Sequence, residues 1–526
     1  MQENQQQGLP KALKKQSVTR MAGLMSMGTL LSRILGFVRD RLMVQLFDSS
    51  MTDIFVAAFR LPNFFRILLG EGALSVAFLP AYVELKKKQN KEGELAGTMA
   101  SFLFILSFVV SVLGIIFMPQ FLEWFLSSVN FPVGTERFET TLFFARIMFF
   151  YLFLVSQFAF FMSLLNANEE FWFPGVAPAM FNVGVILTIL FGFDVGGVKG
   201  SVLAVAVIMG GLLQFATVFF KAYQMRIVPR PNFLFLSPNF LKVLLRTAPS
   251  MVGIGAVQFI GMINVRFASS LNQSDLTFLY LADRLLELPQ SILAISLGAA
   301  LLSRLSALWA EDDLSGFKNQ LYETASIYYF LAIPAAIGLF TLSEALVAFL
   351  FKTGQNTFAD MQIIGSLVQV YAVLLLISGT SKLLLPGFYA VKNTLFPALG
   401  SCLTIVIHIF LAPYLMSYLG IQGLVLSTTI SSLVALVFVF VMFRIIVTDI
   451  SPLQMFKSFP MLALLNIPTF VLCWYGFELW KTTERLASKN LILVATIFTV
   501  VVVYFAVGFL FKVSYAHSFL RALRRR

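Results

Sequence analysis

Long uninterrupted runs of apolar residues recur along the whole chain, and they determine its architecture. The stretch 490–511, for example, contains no charged residue. A helix needs about 20 such residues to cross the hydrocarbon core of a bilayer. Fourteen spans are predicted on this basis, near 22–46, 53–82, 98–118, 140–165, 173–193, 199–221, 247–270, 276–303, 323–351, 363–388, 395–414, 420–444, 459–480 and 490–511. The pattern predicts an all-α, polytopic membrane protein.

The composition excludes several other classes of protein. The 526 residues are 58% hydrophobic and only 12% charged, whereas a soluble chain has about 25% charged residues. A soluble enzyme and a secreted, disulfide-built domain are both excluded. Cys402 and Cys473 lie in apolar stretches, and two histidines without partners do not build a metal site. The sequence has no Gly-x-x-x-x-Gly-Lys-Ser/Thr loop and no plausible catalytic triad, so we expect no enzymatic activity, no catalytic residues and no ATP hydrolysis.

Membrane topology explains most of the formal net charge of +12. If the N-terminus is inside, lysine and arginine concentrate in the segments that face the cytoplasm, among them Lys86, Arg226 and Arg525. This is the bias described by the positive-inside rule. We therefore predict that both termini are cytoplasmic and that the basic charge does not indicate a nucleic-acid partner.

The chain carries a weak internal repeat. Phe173-Pro174 and Phe396-Pro397 open spans 5 and 11, and Gly197 and Gly420 open spans 6 and 12. Both pairs share one offset in the numbering, since 396 − 173 = 223 and 420 − 197 = 223. The repeat predicts two six-helix lobes, spans 1–6 and 7–12, in the parallel arrangement of many transporters.

Two C-terminal spans fall outside this repeat. The predicted segments are an N-terminal tail (1–21), an N-lobe (22–221), a linker (222–246), a C-lobe (247–444), a second linker (445–458), the last two spans (459–511) and a basic tail (512–526).

Charged residues inside the predicted spans are the candidate functional groups, because each costs about 2.5–3.5 kcal/mol at mid-bilayer on insertion scales. The nine basic residues are Arg33, Arg39, Arg41, Arg60, Arg66, Arg146, Arg266, Arg284 and Lys382, and the five acidic residues are Asp40, Asp53, Glu71, Asp283 and Glu287. Internal salt bridges account for part of this set, and Arg41 and Arg66 could snorkel to the interface. The surplus of arginine favours an anionic substrate bearing phosphate or carboxylate, which guanidinium binds bidentately.

Several short motifs between residues 32 and 389 point to a known family. They are Ser32-Arg33-Ile34-Leu35-Gly36-Phe37-Val38-Arg39-Asp40, Phe59-Arg60-Leu61-Pro62-Asn63, Glu71-Gly72-Ala73, Ala282-Asp283-Arg284-Leu285, Glu287-Leu288-Pro289 and Pro386-Gly387-Phe388-Tyr389. Their order and the fourteen spans resemble the MurJ (MviN) family of lipid II flippases, which belongs to the multidrug/oligosaccharidyl-lipid/polysaccharide exporter superfamily.

The resemblance implies a protein of the bacterial cytoplasmic (inner) membrane that moves lipid II, an undecaprenyl-pyrophosphate-linked disaccharide peptide, to the periplasmic leaflet for peptidoglycan synthesis. It implies a cationic central cavity and a groove for the lipid tail formed by the last two spans. The substrate-binding residues are then Arg33, Arg39, Arg60 and Arg284, and the charged or gating residues are Asp40, Asp53, Glu71, Asp283, Glu287 and Arg266. Arg266 matches no family motif, so it could contact substrate or form a salt bridge.

The sequence leaves other questions open. The charged cavity could be driven by the membrane potential or by an ion gradient such as Na+, and no resident cofactor or metal is expected. Membrane lipids and cell-wall synthesis proteins are further expected partners. Two other functions remain open: another exporter of the same superfamily, for a polysaccharide lipid or a cationic drug, and a non-transporting membrane scaffold.

Overall fold

The computed structural model describes residues 18–68, 74–88, 92–126, 129–447 and 451–511, and all their long regular elements are helices. The first half contains α1 (Val18–Leu46), α2 (Ser49–Leu68), α3 (Leu74–Lys88), α4 (Glu92–Ile116), α5 (Met118–Leu126), α6 (Glu136–Phe149), α7 (Tyr151–Ala167), α8 (Trp172–Phe191) and α9 (Val202–Gln224). Most of the two predicted terminal tails lies outside the described residues.

The second half has a similar order of elements. It contains α10 (Pro238–Ala268), α11 (Asp275–Pro289), a π-helical turn (Gln290–Ile295), α12 (Ser296–Ala310), α13 (Leu314–Thr341), α14 (Ser343–Phe351), α15 (Phe358–Ala390), α16 (Leu395–Leu419) and α17 (Ile421–Ile446). Four helices follow: α18 (Pro452–Met455), α19 (Phe459–Leu465), α20 (Ile467–Thr482) and α21 (Leu486–Leu510).

The helices agree with the predicted membrane spans. Within the described residues, nine helices are long and apolar enough to cross a bilayer, and α19 with α20, bent by 40° at their junction, gives a tenth. The four remaining predicted spans correspond to α1, α2 with α3, α10, and α11 with α12. These spans are interrupted or carry charged residues. The all-helical, polytopic fold is thus confirmed, and the number of fourteen spans is consistent with it.

Several predicted spans are broken rather than continuous. The eighth predicted span is divided by the π-helical turn that follows Pro289, whereas α2 continues through Pro62. The ninth predicted span, 323–351, contains two helices that meet at Leu342. Proline cannot donate the backbone hydrogen bond of a regular helix, so the break after Pro289 follows from the sequence.

The contacts divide the protein into two compact units, whose boundaries fall inside α1, α2, α6 and α10 and between α4 and α5. Unit 1 comprises Met1–Arg39, Phe65–Ile116 and Arg146–Met251, and unit 2 comprises Asp40–Phe64, Phe117–Ala145 and Val252–Arg526. In unit 1, α7 packs against α3, α4 and α9, and α8 packs against α9.

Unit 2 has its own apolar core. Helix α13 lies at its centre and packs against α12, α15, α19 and α20. Phe317, Tyr328, Phe330 and Phe443 are almost completely buried there. The two apolar C-terminal spans pack against each other through α20 and α21, and many of their side chains face outward, including Phe498 at 70% exposure. An exposed apolar face of this kind is suited to contact with lipid.

Candidate substrate-binding site

Arg284, on α11, is the centre of a charged cluster in unit 2. Its Nε forms an ion pair with Asp40 Oδ2 at 3.0 Å, and its Nη1 donates to Glu287 Oε2 at 2.9 Å. Its Nη2 donates to the Tyr280 hydroxyl at 2.9 Å, which in turn donates to Asp40 Oδ1 at 2.8 Å. Because Tyr280, Arg284 and Glu287 are spaced by four and three residues, they share one face of α11. The guanidinium is therefore held in one orientation.

The two carboxylates differ in their access to solvent. The Asp40 side chain is 1% exposed, whereas the Glu287 side chain is 50% exposed and that of Arg284 is 25% exposed. Asp40 is therefore shielded from solvent, whereas Glu287 is accessible to it.

Arg60, on α2, lies in the same unit beside a second carboxylate. It interacts electrostatically with Asp283 and Glu287, and the Tyr371 hydroxyl donates a hydrogen bond to Asp283. The guanidinium of Arg60 lies against Gly261 of α10 and occupies the place where the Cβ atom of any other residue would be. A larger residue at position 261 would therefore displace this guanidinium from its present position.

Asp53, also on α2, caps the start of α11. Its carboxylate accepts hydrogen bonds from the backbone N–H groups of Ser274 and Thr277, at 2.7 and 2.8 Å, and from the Thr277 hydroxyl at 2.6 Å. Arg137 forms an ion pair with the same carboxylate at 2.7 Å. The N-terminal N–H groups of a helix have no partner within the helix, and Ser274 provides no side-chain cap of its own. Asp53 supplies that cap from the other half of the chain.

Arg39 lies in unit 1, where its orientation is fixed by α8. Its Nη1 donates to Asn182 Oδ1 at 3.1 Å, and Asn182 Nδ2 donates to the Ser32 carbonyl at 2.9 Å. Arg39 is 7% exposed. Arg33, six residues earlier on α1, is partly buried in the same unit.

The remaining predicted residues are in different environments. Arg266 donates to backbone carbonyls of α5, which are acceptors that the sequence did not indicate. Glu71 lies outside the described residues. Unit 2 thus brings together Arg60, Arg284 and three predicted carboxylates, while Arg33 and Arg39 belong to unit 1.

A second polar group is buried in unit 2. His408 is completely buried; its Nε2 lies 2.8 Å from Asn264 Oδ1 and its Nδ1 lies 2.9 Å from Ser427 Oγ. An amide oxygen accepts and a serine hydroxyl can donate, so the arrangement satisfies a neutral imidazole. Within the residues that the structure describes, no group of three His, Cys, Asp or Glu side chains is arranged to hold a metal ion.

The sequence patterns did not identify several partners of these residues. Arg137 lies between two predicted spans, and its carboxylate partner, Asp53, is 84 residues away in the chain. Asn182 and Tyr371 are uncharged and belong to no motif. Tyr280 could have been identified from its helical spacing of four residues before Arg284.

Charged and broken helices among uncharged, continuous apolar helices are typical of a multi-pass membrane transporter. Solved structures of transporters share this fold. A lipid II flippase MurJ in an inward closed conformation superposes with a TM-score of 0.77 at 21% identity, covering 93% of this chain and 98% of that chain. An inward-facing multidrug transporter of the MATE family, from the MOP superfamily, gives a TM-score of 0.66 at 16% identity, covering 81% of this chain and 98% of that chain. At these identities the likeness shows the fold alone.

Sequence comparison gives the family. The family model described as lipid II flippase MurJ matches residues 43–510. A probable lipid II flippase MurJ from Bdellovibrio bacteriovorus is 37% identical over 430 residues, covering 81% of this chain and 82% of that protein. The lipid II flippase MurJ of Burkholderia cenocepacia is 31% identical over 413 residues, covering 76% of this chain and 78% of that protein. The chain belongs to the MurJ family of lipid II flippases.

Proposed function

We propose that this protein moves lipid II from the cytoplasmic to the periplasmic leaflet by alternating access, and that Arg60 and Arg284 bind the anionic head group. The observation that carries the proposal is the orientation of Arg284 by a buried carboxylate, with a half-exposed carboxylate on its other side. Family membership identifies the substrate class, since the relatives are named as lipid II flippases.

The charges of the cluster suit reversible binding of a pyrophosphate. Guanidinium groups bind phosphate oxygens through paired, charge-assisted hydrogen bonds. Asp40 keeps Arg284 in place, whereas Glu287 contacts it through an exposed and therefore weak ion pair. In our mechanism the pyrophosphate displaces Glu287 from Arg284 Nη1, and Glu287 takes its place again when the head group leaves. This exchange neutralises the arginine in both the empty and the loaded state.

Arg33 and Arg39, in unit 1, are the other proposed substrate-binding residues. The Asn182 hydrogen bond fixes Arg39 in advance, and a preoriented donor loses less entropy when it binds an anion. The cationic-drug alternative receives no comparable support, because a cation is not a ligand for arginine.

Closure on the outer side would depend on Asp53. It joins α2 to the first turn of α11 and also binds Arg137 of α6, so separation of α2 from α11 removes the helix cap and separation of α2 from α6 removes the ion pair. We propose that these contacts close the pathway while the head group is collected from the cytoplasm. The polyprenyl tail would remain in the membrane along α20 and α21, whose exposed apolar side chains suit it.

The setting and the energy source belong to the same proposal. We place the protein in the bacterial inner membrane with both termini in the cytoplasm, following the positive-inside bias. One charge crossing 100 mV gains about 2.3 kcal/mol, so the membrane potential can reset a charged cavity. An ion gradient such as Na+ is the other candidate, and cell-wall synthesis proteins are the candidate protein partners.

The test is leaflet-resolved accessibility of lipid II in cells that depend on this protein. Replacing Arg60 or Arg284 with Ala should lower the rate of lipid II appearance at the outer leaflet by at least about tenfold, because each loses charge-assisted hydrogen bonds. Arg304→Ala, at an exposed arginine on α12, is the control and should leave the rate unchanged. Normal flipping by correctly inserted Arg60→Ala and Arg284→Ala proteins would contradict the proposed site.

A further inference from the structure

Two arginines in unit 2 each bind the last carbonyls of a short helix. Arg41, near the end of α1, donates from Nη1 to the carbonyls of Phe349 and Leu350 in α14, both at 2.7 Å. Arg266, near the end of α10, donates from Nη1 to the carbonyls of Trp124 and Phe125 in α5, the second at 3.0 Å. Both helices have nine residues.

These contacts occupy corresponding positions in the two halves of the chain, at an offset two residues larger than the 223 of spans 5 and 11. The numbers of the two arginines differ by the same offset as those of the carbonyls that they bind, since 266 − 41 = 225, 349 − 124 = 225 and 350 − 125 = 225. The starts of the two short helices share this offset, since 343 − 118 = 225. A single offset that relates donors, acceptors and helix starts is not expected of unrelated surface contacts.

A second pair of contacts follows the same relation at its acceptors, whereas its donors differ by 223, since 353 − 130 = 223. Thr353, after α14, donates its hydroxyl to the Val44 carbonyl at 3.0 Å. Asn130, after α5, donates its amide to the carbonyls of Ser269 and Leu271, at 3.1 and 2.6 Å. Val44 and Ser269, at the ends of α1 and α10, again differ by this offset, since 269 − 44 = 225.

The contacts are reciprocal between the halves of the chain. The first half contributes α1, which binds α14 of the second half, and the second half contributes α10, which binds α5 of the first. The final carbonyls of a helix have no partner within it and carry the negative end of its dipole. A guanidinium can donate to two neighbouring carbonyls and compensate this charge. The arrangement explains why arginine occurs at both positions, and it assigns the two residues a role other than substrate binding.

We infer that Arg41 and Arg266 are repeat-related positioning residues that hold the two halves together on the outer side until the head group is loaded. The inference rests on the proposed alternating access, which requires an outer closure that can open. Both arginines lie at the ends of spans that run outward in the predicted topology. Each contact joins one half to the other, so opening the outer side must break both.

The two contacts should contribute similarly to closure. Arg41 and Arg266 are solvent-exposed, which limits the strength of each. Removing one should raise the ratio of outward-open to outward-closed protein by about fivefold, the effect of a moderate interaction between a charge and a helix terminus. Removing both should raise it by about 25-fold, since effects at separate sites are additive in free energy.

The experiment measures the distance between spin labels in the purified full-length protein in lipid nanodiscs, without lipid II. Cys402→Ser and Cys473→Ala remove the native thiols. Labels are attached through Val129→Cys and Gln355→Cys, which lie after α5 and α14 at exposed positions. The test variants are Arg41→Gln, Arg266→Gln and the double variant, and Arg304→Gln is the matched control.

We expect a longer-distance population that grows in both single variants and further in the double variant, with no change in the control. Arg41→Lys and Arg266→Lys retain a cation at the helix end, so they should show a smaller shift and provide the test if a glutamine variant does not fold. Distance distributions that match the parent in all these variants would overturn the inference. This readout needs no transport, so it is independent of whether lipid II is the substrate.

Discussion

Arg284 Nε lies 3.0 Å from Asp40 Oδ2, and this ion pair joins a residue of α11 to one of α1. The two residues are far apart in the chain, since Asp40 belongs to the first copy of the internal repeat and Arg284 to the second. Tyr280 bridges them, because its hydroxyl contacts both side chains. The orientation of a proposed substrate-binding arginine in the second half of the protein therefore depends on a carboxylate from the first half.

Replacing Asp40 with Asn should destabilise the protein and impair transport. Asn cannot neutralise Arg284, and removing one partner of a pair with such a buried carboxylate should lower the free energy of unfolding by about 2 kcal/mol. Thermal unfolding in detergent micelles measures this change as a lower Tm. Asp312→Asn, at an exposed loop position, should have no comparable effect. An unchanged Tm for Asp40→Asn would contradict the structural role of the pair.

Replacing Glu287 with Gln should strengthen the binding of anions. The substitution removes the carboxylate that competes with a pyrophosphate for Arg284, and an exposed ion pair of this kind is worth up to about 1 kcal/mol. We therefore expect the Kd of a water-soluble pyrophosphate-linked lipid II analogue to fall by up to about fivefold in low salt. Calorimetric titration measures it, and the difference should shrink as the salt concentration rises. Weaker binding would mean that Glu287 assists the substrate rather than competing with it.

Replacing Gly261 with Ala should displace the Arg60 guanidinium, because the new methyl group would occupy its position. A displacement of about 1 Å at a binding group can lower a rate by about 100-fold, so the initial flipping rate in proteoliposomes should fall by at least about tenfold. Gly338→Ala is the matched control, since nothing lies within 4 Å of its added Cβ. Equal rates for the two variants would exclude a tightly positioned Arg60.

The start of α13 should respond to acid through Asp313. Hydrogen bonds from the Gly316 N–H and the Ser315 hydroxyl lower the pKa of Asp313 below its ordinary value of 3.8. A carboxylate with a lowered pKa stabilises the folded state above its unfolded pKa, and this contribution is lost as the pH falls through the folded value. The Gly316 amide should therefore be better protected against hydrogen exchange in the parent protein than in Asp313→Asn above about pH 4. This difference in protection should disappear below that pH. A pH-independent difference would contradict this assignment.

The charged motifs were predictable, but their pairing was not. Helical spacing alone places Arg284 and Glu287 on one face of α11, and the cost of charge in a membrane indicates that both matter. The partner of Arg284 could not be predicted in this way, because it is Asp40 of α1, which is far from α11 in the chain. Arg266 shows the same limit, because its acceptors are backbone carbonyls, which leave no signal in the sequence.

The sequence by itself determined the helical class, the order of the spans, the internal repeat and the presence of ionisable residues within the spans. It could do so because hydrophobic length and charge act locally, whatever the neighbouring helices are. Only the tertiary structure decided which charge meets which partner: Asp53 with the first turn of α11, Arg39 with Asn182, and Arg41 with the end of α14. These contacts depend on packing between segments far apart in the chain, and a one-dimensional pattern does not encode their geometry.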